Sequence, residues 1–304
     1  MSISLPFEKQ EFAKSFGGKK MVLARNILPS VKVESIGQIV FGENAYFGDL
    51  KGLFAVEDGQ LTMSDEWGKP LYSFRGAETR NGSTFMVGEH HMEAHFSGFV
   101  RCLLYEYKPL SSFKVCVSTH KDYTADTMPR LLRSLARAKV SKDDIIVVVG
   151  GTGESKETVV DGVKTILIKE NYDGLTALTA LSQDYSGYWL LLHDTCEAMD
   201  DFKDRMAKLD VGLNIDLLTV AGDIGLYSSA FVKRLLSLKA IELNADVSMI
   251  RRLDHCRLWS DCETGSRHVA TKDVYGTGTQ RDVLYLDDIG VKKYRRVKGA
   301  PAKP

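Results

Sequence analysis

Short apolar runs alternating with helical patterns limit the fold of this chain more than any other feature, and they begin at Phe113. The runs are too short for membrane helices, which need about 20 apolar residues, and they suit strands buried on both faces. Intervening helices imply crossover connections and a mainly parallel sheet. The predicted strands are 113–117, 145–149, 165–168, 188–192 and 215–220. The predicted helices follow a cap at Thr127 and run through 175–181, 231–238 and 247–258.

The first 110 residues predict a different structure, a β-rich module punctuated by glycine. Asp58-Gly59 and Asn81-Gly82 are dipeptides that favour tight hairpin turns. No helix of ordinary length is predicted after residue 30 in this region. We therefore expect two domains, a smaller β-rich domain at 1–110 and an α/β domain at 111–304.

Charge and cysteine usage exclude several classes of protein. The 40 basic and 40 acidic residues balance, which excludes a globally basic nucleic-acid coat and an acidic solvating protein. Six basic residues and no acidic residue follow from Lys292 to the end, so a local anion site stays open there. Five widely spaced cysteines without a CxxC favour a reduced compartment. The opening residues show no signal-peptide pattern, which predicts a cytoplasmic protein.

Polar segments follow three of the predicted strands, at the edge where such sheets bind ligands. They are Ser118-Thr-His-Lys-Asp-Tyr123, Gly150-Gly-Thr-Gly-Glu-Ser155 and His193-Asp-Thr-Cys-Glu197. The glycine segment matches neither Walker A nor GxGxxG, so it is a phosphate-approaching loop or a plain turn. Asp194 is a candidate metal ligand with Glu197 as a second oxygen donor, or it caps the following turn.

Six phrases in a consistent order carry a resemblance to a known family. They are Val115-Cys-Val-Ser-Thr-His, Ile145-Ile-Val-Val-Val-Gly-Gly, Asn171-Tyr-Asp-Gly-Leu-Thr-Ala-Leu, Tyr188-Trp-Leu-Leu-Leu-His-Asp-Thr-Cys, Asp223-Ile-Gly-Leu-Tyr and Ile289-Gly-Val-Lys-Lys-Tyr-Arg-Arg. Residues from about 113 to 298 resemble a GT-A glycosyltransferase domain. More narrowly, they are similar to glycosyltransferase-like proteins of large DNA viruses and related microbial sequences. Residues 1–110 lie outside the resemblance.

The resemblance implies a Rossmann-like domain that moves a sugar from a UDP- or GDP-linked donor to a glycan or protein acceptor hydroxyl. It implies the host cytoplasm as location if the protein is viral. The basic tail lacks aromatic interleaving and a recognisable nucleic-acid motif, so we expect no nucleic-acid partner. The implied donor-binding residues are Ser118, Thr119, His120, Gly150, Gly151, Asn171, Asp173, His193, Asp194, Thr195, Lys292, Lys293 and Arg295. His193-Asp194-Thr195 stands at the family's DxD motif with one of its two carboxylates. Asp194 and Glu197 are the implied ligands of an optional Mn²⁺ or Mg²⁺, and Asp223 and Asp246 are candidate general bases.

Two other functions stay open on the sequence. One is a noncatalytic glycan-binding or virion-associated protein that keeps the fold, and the other is a sugar-phosphate nucleotidyltransferase.

Two further motifs in the sequence each have two interpretations. His91, Glu93 and His95 share one face of a strand and form a metal site or a polar strand face. Cys196 is a nucleophile paired with His193 or a packing residue.

Overall fold

The computed structural model of the chain describes residues 2–3, 12, 16–27, 33–41, 44–47, 50–80, 83–91, 100–170, 174–181, 184–212, 217–221, 224–237 and 286–294. The described residues divide into two compact units. The first holds the described part of 1–109 together with 210–212. The second holds the described part of 110–209 together with 217–221, 224–237 and 286–294.

The first unit is a nine-stranded antiparallel sheet in which the second to the ninth strands pair in chain order and the first strand pairs with the seventh. They are β1 (Ser2–Ile3), β2 (Lys20–Ile27), β3 (Val33–Phe41), β4 (Ala45–Phe47), β5 (Leu50–Glu57), β6 (Gln60–Ser64), β7 (Pro70–Arg80), β8 (Ser83–His90) and β9 (Val100–Glu106). Pairing of β9 with β2, and of β8 with both β9 and β7, closes β2 to β9 into a ring. The prediction of a β-rich N-terminal region is confirmed.

Apolar side chains from alternating strand positions form the core of this ring, as the period of two in a strand requires. Phe12, Phe41 and Phe54 meet there with ring centroids 5.1–5.8 Å apart. The predicted turn at Asp58-Gly59 joins β5 to β6 with φ values of 48° and 72°, the left-handed backbone of a type I′ hairpin. Asn81 and Gly82 lie outside the described residues, but the pairing of Arg80 with Ser83 confirms the hairpin.

The second unit alternates strands with helices. Its strands are β10 (Phe113–His120), β11 (Ile145–Gly150), β12 (Lys156–Val160), β13 (Val163–Leu167), β14 (Tyr188–His193), β15 (Cys196–Ala198), β16 (Leu217–Ala221), β17 (Ile224–Ser228) and β18 (Val291–Lys293). Its helices are α1 (Thr124–Arg137), α2 (Gly174–Thr179), α3 (Phe202–Met206) and α4 (Ser229–Ser237). Short 3-10 turns occupy Lys142–Asp144 and Asp287–Ile289. The predicted helix at 247–258 lies outside the described residues.

The main sheet of this unit is mixed and largely parallel, in the order β12-β13-β11-β10-β14-β17-β16. Strands β13, β11, β10 and β14 are parallel, whereas β12 and β17 run antiparallel to their neighbours. The sequence predicted the parallel strands and missed both antiparallel ones. Asp161 and Gly162 have φ values of 52° and 78° and close the β12–β13 hairpin, so this Asp-Gly pair was the overlooked signal.

Helices cover this sheet, which explains why its central strands are continuously apolar. All six residues of β11 are buried. One cluster joins sheet residues such as Cys116, Ile146 and Trp189 to Leu178 of α2 and Phe231 of α4. Helix α1 carries its own buried stripe, which includes Thr127, Met128, Leu131, Ser134 and Leu135. Among the described residues, no helix has the length and apolar character needed to cross a membrane.

The start of α1 differs from the prediction, because Thr127 is its fourth residue and not its cap. The helix begins at Thr124, whose hydroxyl donates to the carbonyl of His120 at 2.9 Å. Tyr123 precedes the helix without a side-chain capping hydrogen bond, and its backbone carbonyl accepts from the amides of Asp126 and Thr127. The Thr127 hydroxyl lies within reach of that carbonyl and of a residue outside the helix.

Candidate functional site at the strand ends

The strand order of the second unit places a switch point between β10 and β14. From β10 the chain moves to β11 and β13 on one side, and then returns to place β14 on the other side of β10. In open α/β sheets the crevice beyond such strand ends is the usual ligand site. Ser118 lies opposite His193, and His120 lies opposite Gly150, in the parallel ladders. Three of the predicted site segments therefore meet at one edge.

Asp194 follows β14 at this edge and is held by hydroxyl groups from two other elements. The residue is 8% exposed. Oδ2 accepts from Thr119 Oγ1 at 2.7 Å and from Thr127 Oγ1 at 2.9 Å. Its amide donates to the carbonyl of Ser118 at 3.2 Å. A buried carboxylate is costly unless donors compensate it, so these two threonines fix both the position and the orientation of Asp194.

Thr127 is the residue of this site that the sequence reasoning assigned to another role. Its hydroxyl also lies 2.9 Å from the carbonyl of Tyr123, and its single proton serves one acceptor at a time. The sequence contained a signal that the Thr127 side chain contacts another element of the fold. Thr127 precedes Leu131 by four residues and Ser134 by seven, so it is a polar residue on the buried stripe of the helix.

Glu197 on β15 is engaged by two arginines of α1. Arg130 donates to Oε2 through Nε at 2.9 Å and through Nη2, and Arg137 Nη2 donates to Oε1 at 3.1 Å. The hydrogen bond from Arg130 is the largest cause that lowers the pKa of the Glu197 carboxyl, and burial opposes it. Both carboxylate oxygens therefore have cationic partners from the same helix, which ties α1 to β15.

A pH dependence of stability follows from this pair. Folding lowers the pKa of Glu197 from its ordinary value of 4.5, so the ionised form stabilises the fold above that pH. The stabilisation is lost as the pH falls through the lowered folded value. We expect Glu197→Gln to lower the free energy of unfolding by about 1 kcal/mol at pH 7. Urea unfolding of both proteins from pH 7 to pH 3 should show the difference shrinking below about pH 4.5.

Glu154→Gln is the matched control for Glu197→Gln. Glu154 also pairs with a cation, Lys156, at 2.7 Å, but both side chains are more than half exposed. Exposed pairs add little to stability, so this variant should differ from wild type by less than about 0.5 kcal/mol. A cost for Glu197→Gln that stays constant down to pH 3 would contradict the arginine contacts.

The strand β18 brings basic and aromatic side chains from the far end of the chain to the same edge. It pairs antiparallel with β15, and Lys293 lies opposite Cys196. Lys293 Nζ donates to His193 Nδ1 at 3.2 Å. The Tyr294 hydroxyl donates to the carbonyl of Asp194 at 3.3 Å, and the Arg130 guanidinium lies 4.3 Å from the Tyr294 ring centroid. Burial, more than the negative charge of Asp194, raises the pKa of Tyr294.

The glycine segment after β11 is a hydrogen-bonded turn. The amides of Gly151, Thr152 and Gly153 donate to the carbonyls of Glu170, Ile168 and Lys169 at 2.7–3.2 Å. These three donors are satisfied within the chain, so they do not form the amide nest that binds phosphate. Gly151 has a φ of 72° and lies directly against the imidazole of His120. The turn therefore shapes the wall of the site, and a contact of Gly150 or Gly151 with a nucleotide stays a prediction.

The carboxylates do not fit a divalent metal as they stand. Such a cation takes several oxygen ligands, but Asp194 Oδ2 accepts from two hydroxyls and both Glu197 oxygens are bound to arginines. In the part of the chain that the structure describes, no group of three His, Cys, Asp or Glu side chains is placed to hold a metal. Among the described residues Asp194 Oδ1 has no hydrogen-bond donor, so a metal held by both side chains would have to displace an arginine from Glu197.

Of the remaining residues predicted to bind the donor or to act as general base, the structure describes some and leaves others outside the described residues. Thr195 is half-buried, and its carbonyl accepts from the amide of Tyr294 at 3.1 Å. Lys292 is exposed and lies opposite Glu197 in the β15–β18 ladder. Outside the described residues lie Asn171, Asp173, Asp223, Asp246 and Arg295.

Two motifs with alternative readings are only partly described. Cys196 is fully buried on β15, where its thiol is out of reach of a substrate. His91 Nε2 lies 2.7 Å from the Ser73 hydroxyl, whereas Glu93 and His95 lie outside the described residues. Cys196 is thus placed as a packing residue, and the histidine cluster stays an open prediction.

Comparisons with known proteins add no family assignment. No protein-family model matches the chain, and no curated protein shows significant sequence similarity to it.

Proposed function

We propose that the second unit binds a nucleotide-diphosphate sugar at the β10–β14 switch point and transfers the sugar to an acceptor hydroxyl. The observation that carries this proposal is the convergence of Thr119, His120, His193 and Asp194 at the strand ends. Such a crevice is where mixed α/β sheets bind nucleotides. The GT-A resemblance of the same segments supports a nucleotide-sugar donor.

Asp194 anchors the donor in this proposal. Its Oδ2 lies within hydrogen-bond distance of two threonine hydroxyls, and no hydrogen bond within the described residues reaches Oδ1. A carboxylate held in this way is a ready acceptor for a ligand hydroxyl, because its orientation is fixed before the ligand arrives. The donor offers such hydroxyls on its ribose and on its sugar.

Isothermal titration calorimetry with UDP and GDP tests the proposal. We expect the full-length protein to bind at least one of them, and Asp194→Ala to weaken that binding by about tenfold or more. Asp194→Asn, which keeps the size of the side chain, should weaken it less. Thermal unfolding of each variant controls for loss of the fold. Absence of binding to both nucleotides, or unchanged binding in folded Asp194→Ala, would overturn the assignment.

A nucleotide-sugar-binding protein without transfer activity is the second candidate. The observation in its favour is that arginines hold both Glu197 oxygens and threonines hold Asp194 Oδ2, so that of these two described carboxylates only Asp194 Oδ1 is left to bind a metal. Incubation with UDP- and GDP-sugars and a panel of glycan acceptors separates the two candidates. Release of UDP or GDP that depends on the acceptor supports transfer, whereas binding without release supports this second function.

A further inference from the structure

We infer that this site takes a nucleoside diphosphate without a divalent metal, with the Lys293 ammonium supplying the positive charge. The inference rests on the proposed function, since it concerns how the same ligand is held. It departs from the Mn²⁺ or Mg²⁺ that the DxD resemblance implies. Three features of the described residues carry it: the engaged carboxylates, the availability of Lys293, and the docking of the strand that bears it.

The first feature is the balance of charge around Asp194 and Glu197. A metal-bridged diphosphate needs carboxylate oxygens that are free to coordinate the cation. Among the described residues only Asp194 Oδ1 is left without a donor, because Asp194 Oδ2 accepts from threonine hydroxyls and both Glu197 oxygens are held by Arg130 and Arg137. Breaking the arginine contacts to admit a metal would leave two cations without their carboxylate. The arrangement therefore opposes a metal and already contains positive charge beside the site.

The second feature is that Lys293 is available to an anion. Lys293 is exposed, and its ammonium donates to His193 Nδ1 at 3.2 Å. Among the described residues, no carboxylate oxygen lies within 4.0 Å of Lys293 Nζ. An ammonium has three donors, so it can keep the histidine contact and still donate to phosphate oxygens. Arg130 and Arg137, in contrast, already hold Glu197.

The third feature is the docking of β18, which holds Lys293 at the edge. Tyr294 donates its amide to the carbonyl of Thr195 at 3.1 Å, and Met199 donates to Gly290 at 2.8 Å. Gly290 has a φ of 70°, and an added Cβ there would lie 2.8 Å from Cα of Phe202. The strand is therefore packed closely on both sides of Lys293. A cation held in place before binding loses little freedom when the ligand arrives.

Calorimetric titration of the full chain with UDP and GDP, in EDTA and separately in Mn²⁺, tests the inference. We expect the dissociation constants in the two buffers to agree within about twofold. Lys293→Ala should weaken binding about tenfold or more in EDTA, because a charge-assisted hydrogen bond to the diphosphate is lost. Lys293→Arg should recover part of the affinity, since it restores the charge.

Lys203→Ala is the matched control for Lys293→Ala. Lys203 is also an exposed lysine of the second unit, but it lies on α3 and donates to the backbone carbonyl of Lys139. Lys203→Ala removes the same charge as Lys293→Ala. Equal losses of nucleotide affinity in the two variants would therefore mean a general charge effect and would overturn the role of Lys293. Wild-type affinity in folded Lys293→Ala would overturn it as well.

Comparing the titrations in EDTA and in Mn²⁺ distinguishes failure of the inference from failure of the proposed function. Binding that disappears in EDTA and returns with Mn²⁺ overturns the metal-free site and leaves the proposed function standing. Absence of binding to UDP and GDP in both buffers overturns the proposed function, and the inference with it. Binding of equal strength in both buffers, with the loss specific to Lys293→Ala, supports both.

Discussion

Replacing Gly151 with alanine is expected to lower the free energy of unfolding by about 2 to 4 kcal/mol. Gly151 has a φ of 72°, a left-handed conformation that costs a residue with a Cβ about 1 to 2 kcal/mol. The added methyl group would also collide with the imidazole of His120, whose Cδ2 would lie 3.0 Å away. His120 would have to leave its place at the site. Urea unfolding measures the stability, and titration with UDP and GDP measures the site.

Gly153→Ala isolates the contribution of His120. Gly153 has nearly the same backbone, with a φ of 79°, and an added Cβ would meet no atom within 4 Å. It should therefore show only the backbone cost of about 1 to 2 kcal/mol and keep its nucleotide affinity. Equal destabilisation in the two variants, with equal affinity, would mean that His120 does not lie against Gly151.

Thr127→Val is the second large effect, with an expected loss of about 1.5 to 3 kcal/mol. Valine keeps the branched shape but removes a hydroxyl that donates to the buried Asp194 carboxylate. The loss should depend on that carboxylate. In an Asp194→Ala background we therefore expect the same substitution to cost less than about 1 kcal/mol, in a double-mutant cycle followed by urea unfolding.

Thr165→Val is the matched control for Thr127→Val. Thr165 is equally buried, but among the described residues its hydroxyl donates only to the backbone carbonyl of Val163, at 3.3 Å. Valine also suits a strand, so the cost should stay below about 1 kcal/mol. Additive losses for Thr127→Val and Asp194→Ala would show that the two residues do not interact, against the geometry.

The strands that were predicted correctly share a physical reason. Strands β11 and β14 appear in the sequence as unbroken apolar runs with polar residues after them, and β10 has a buried apolar centre at Val115–Val117, because helices cover both faces of the sheet. The edge strand β12 has no buried residue and reads Lys-Glu-Thr-Val-Val, a pattern that composition alone assigns to a loop. Its prediction needed the Asp161-Gly162 turn as the signal of a hairpin.

For the candidate site, too, the sequence predicts what depends on local pattern and does not predict contacts between distant parts of the chain. The polar residues after β10, β11 and β14 could be predicted to lie at one edge, because parallel strands end on the same side of a sheet. Their partners could not, since they come from distant elements. Thr127 lies 67 residues from Asp194 along the chain, and Lys293 lies 100 residues from His193.

The sequence by itself determined that an α/β unit follows a β-rich one, and that Asp194 stands at the end of a buried strand. Apolar periodicity and strand-end polarity are local properties, and a chain reveals them without its fold. Only the tertiary structure decided the strand order, which puts β10 beside β14. It also decided that Asp194 is held by threonines and Glu197 by arginines. Partner choice depends on packing in three dimensions, and residue patterns do not encode it.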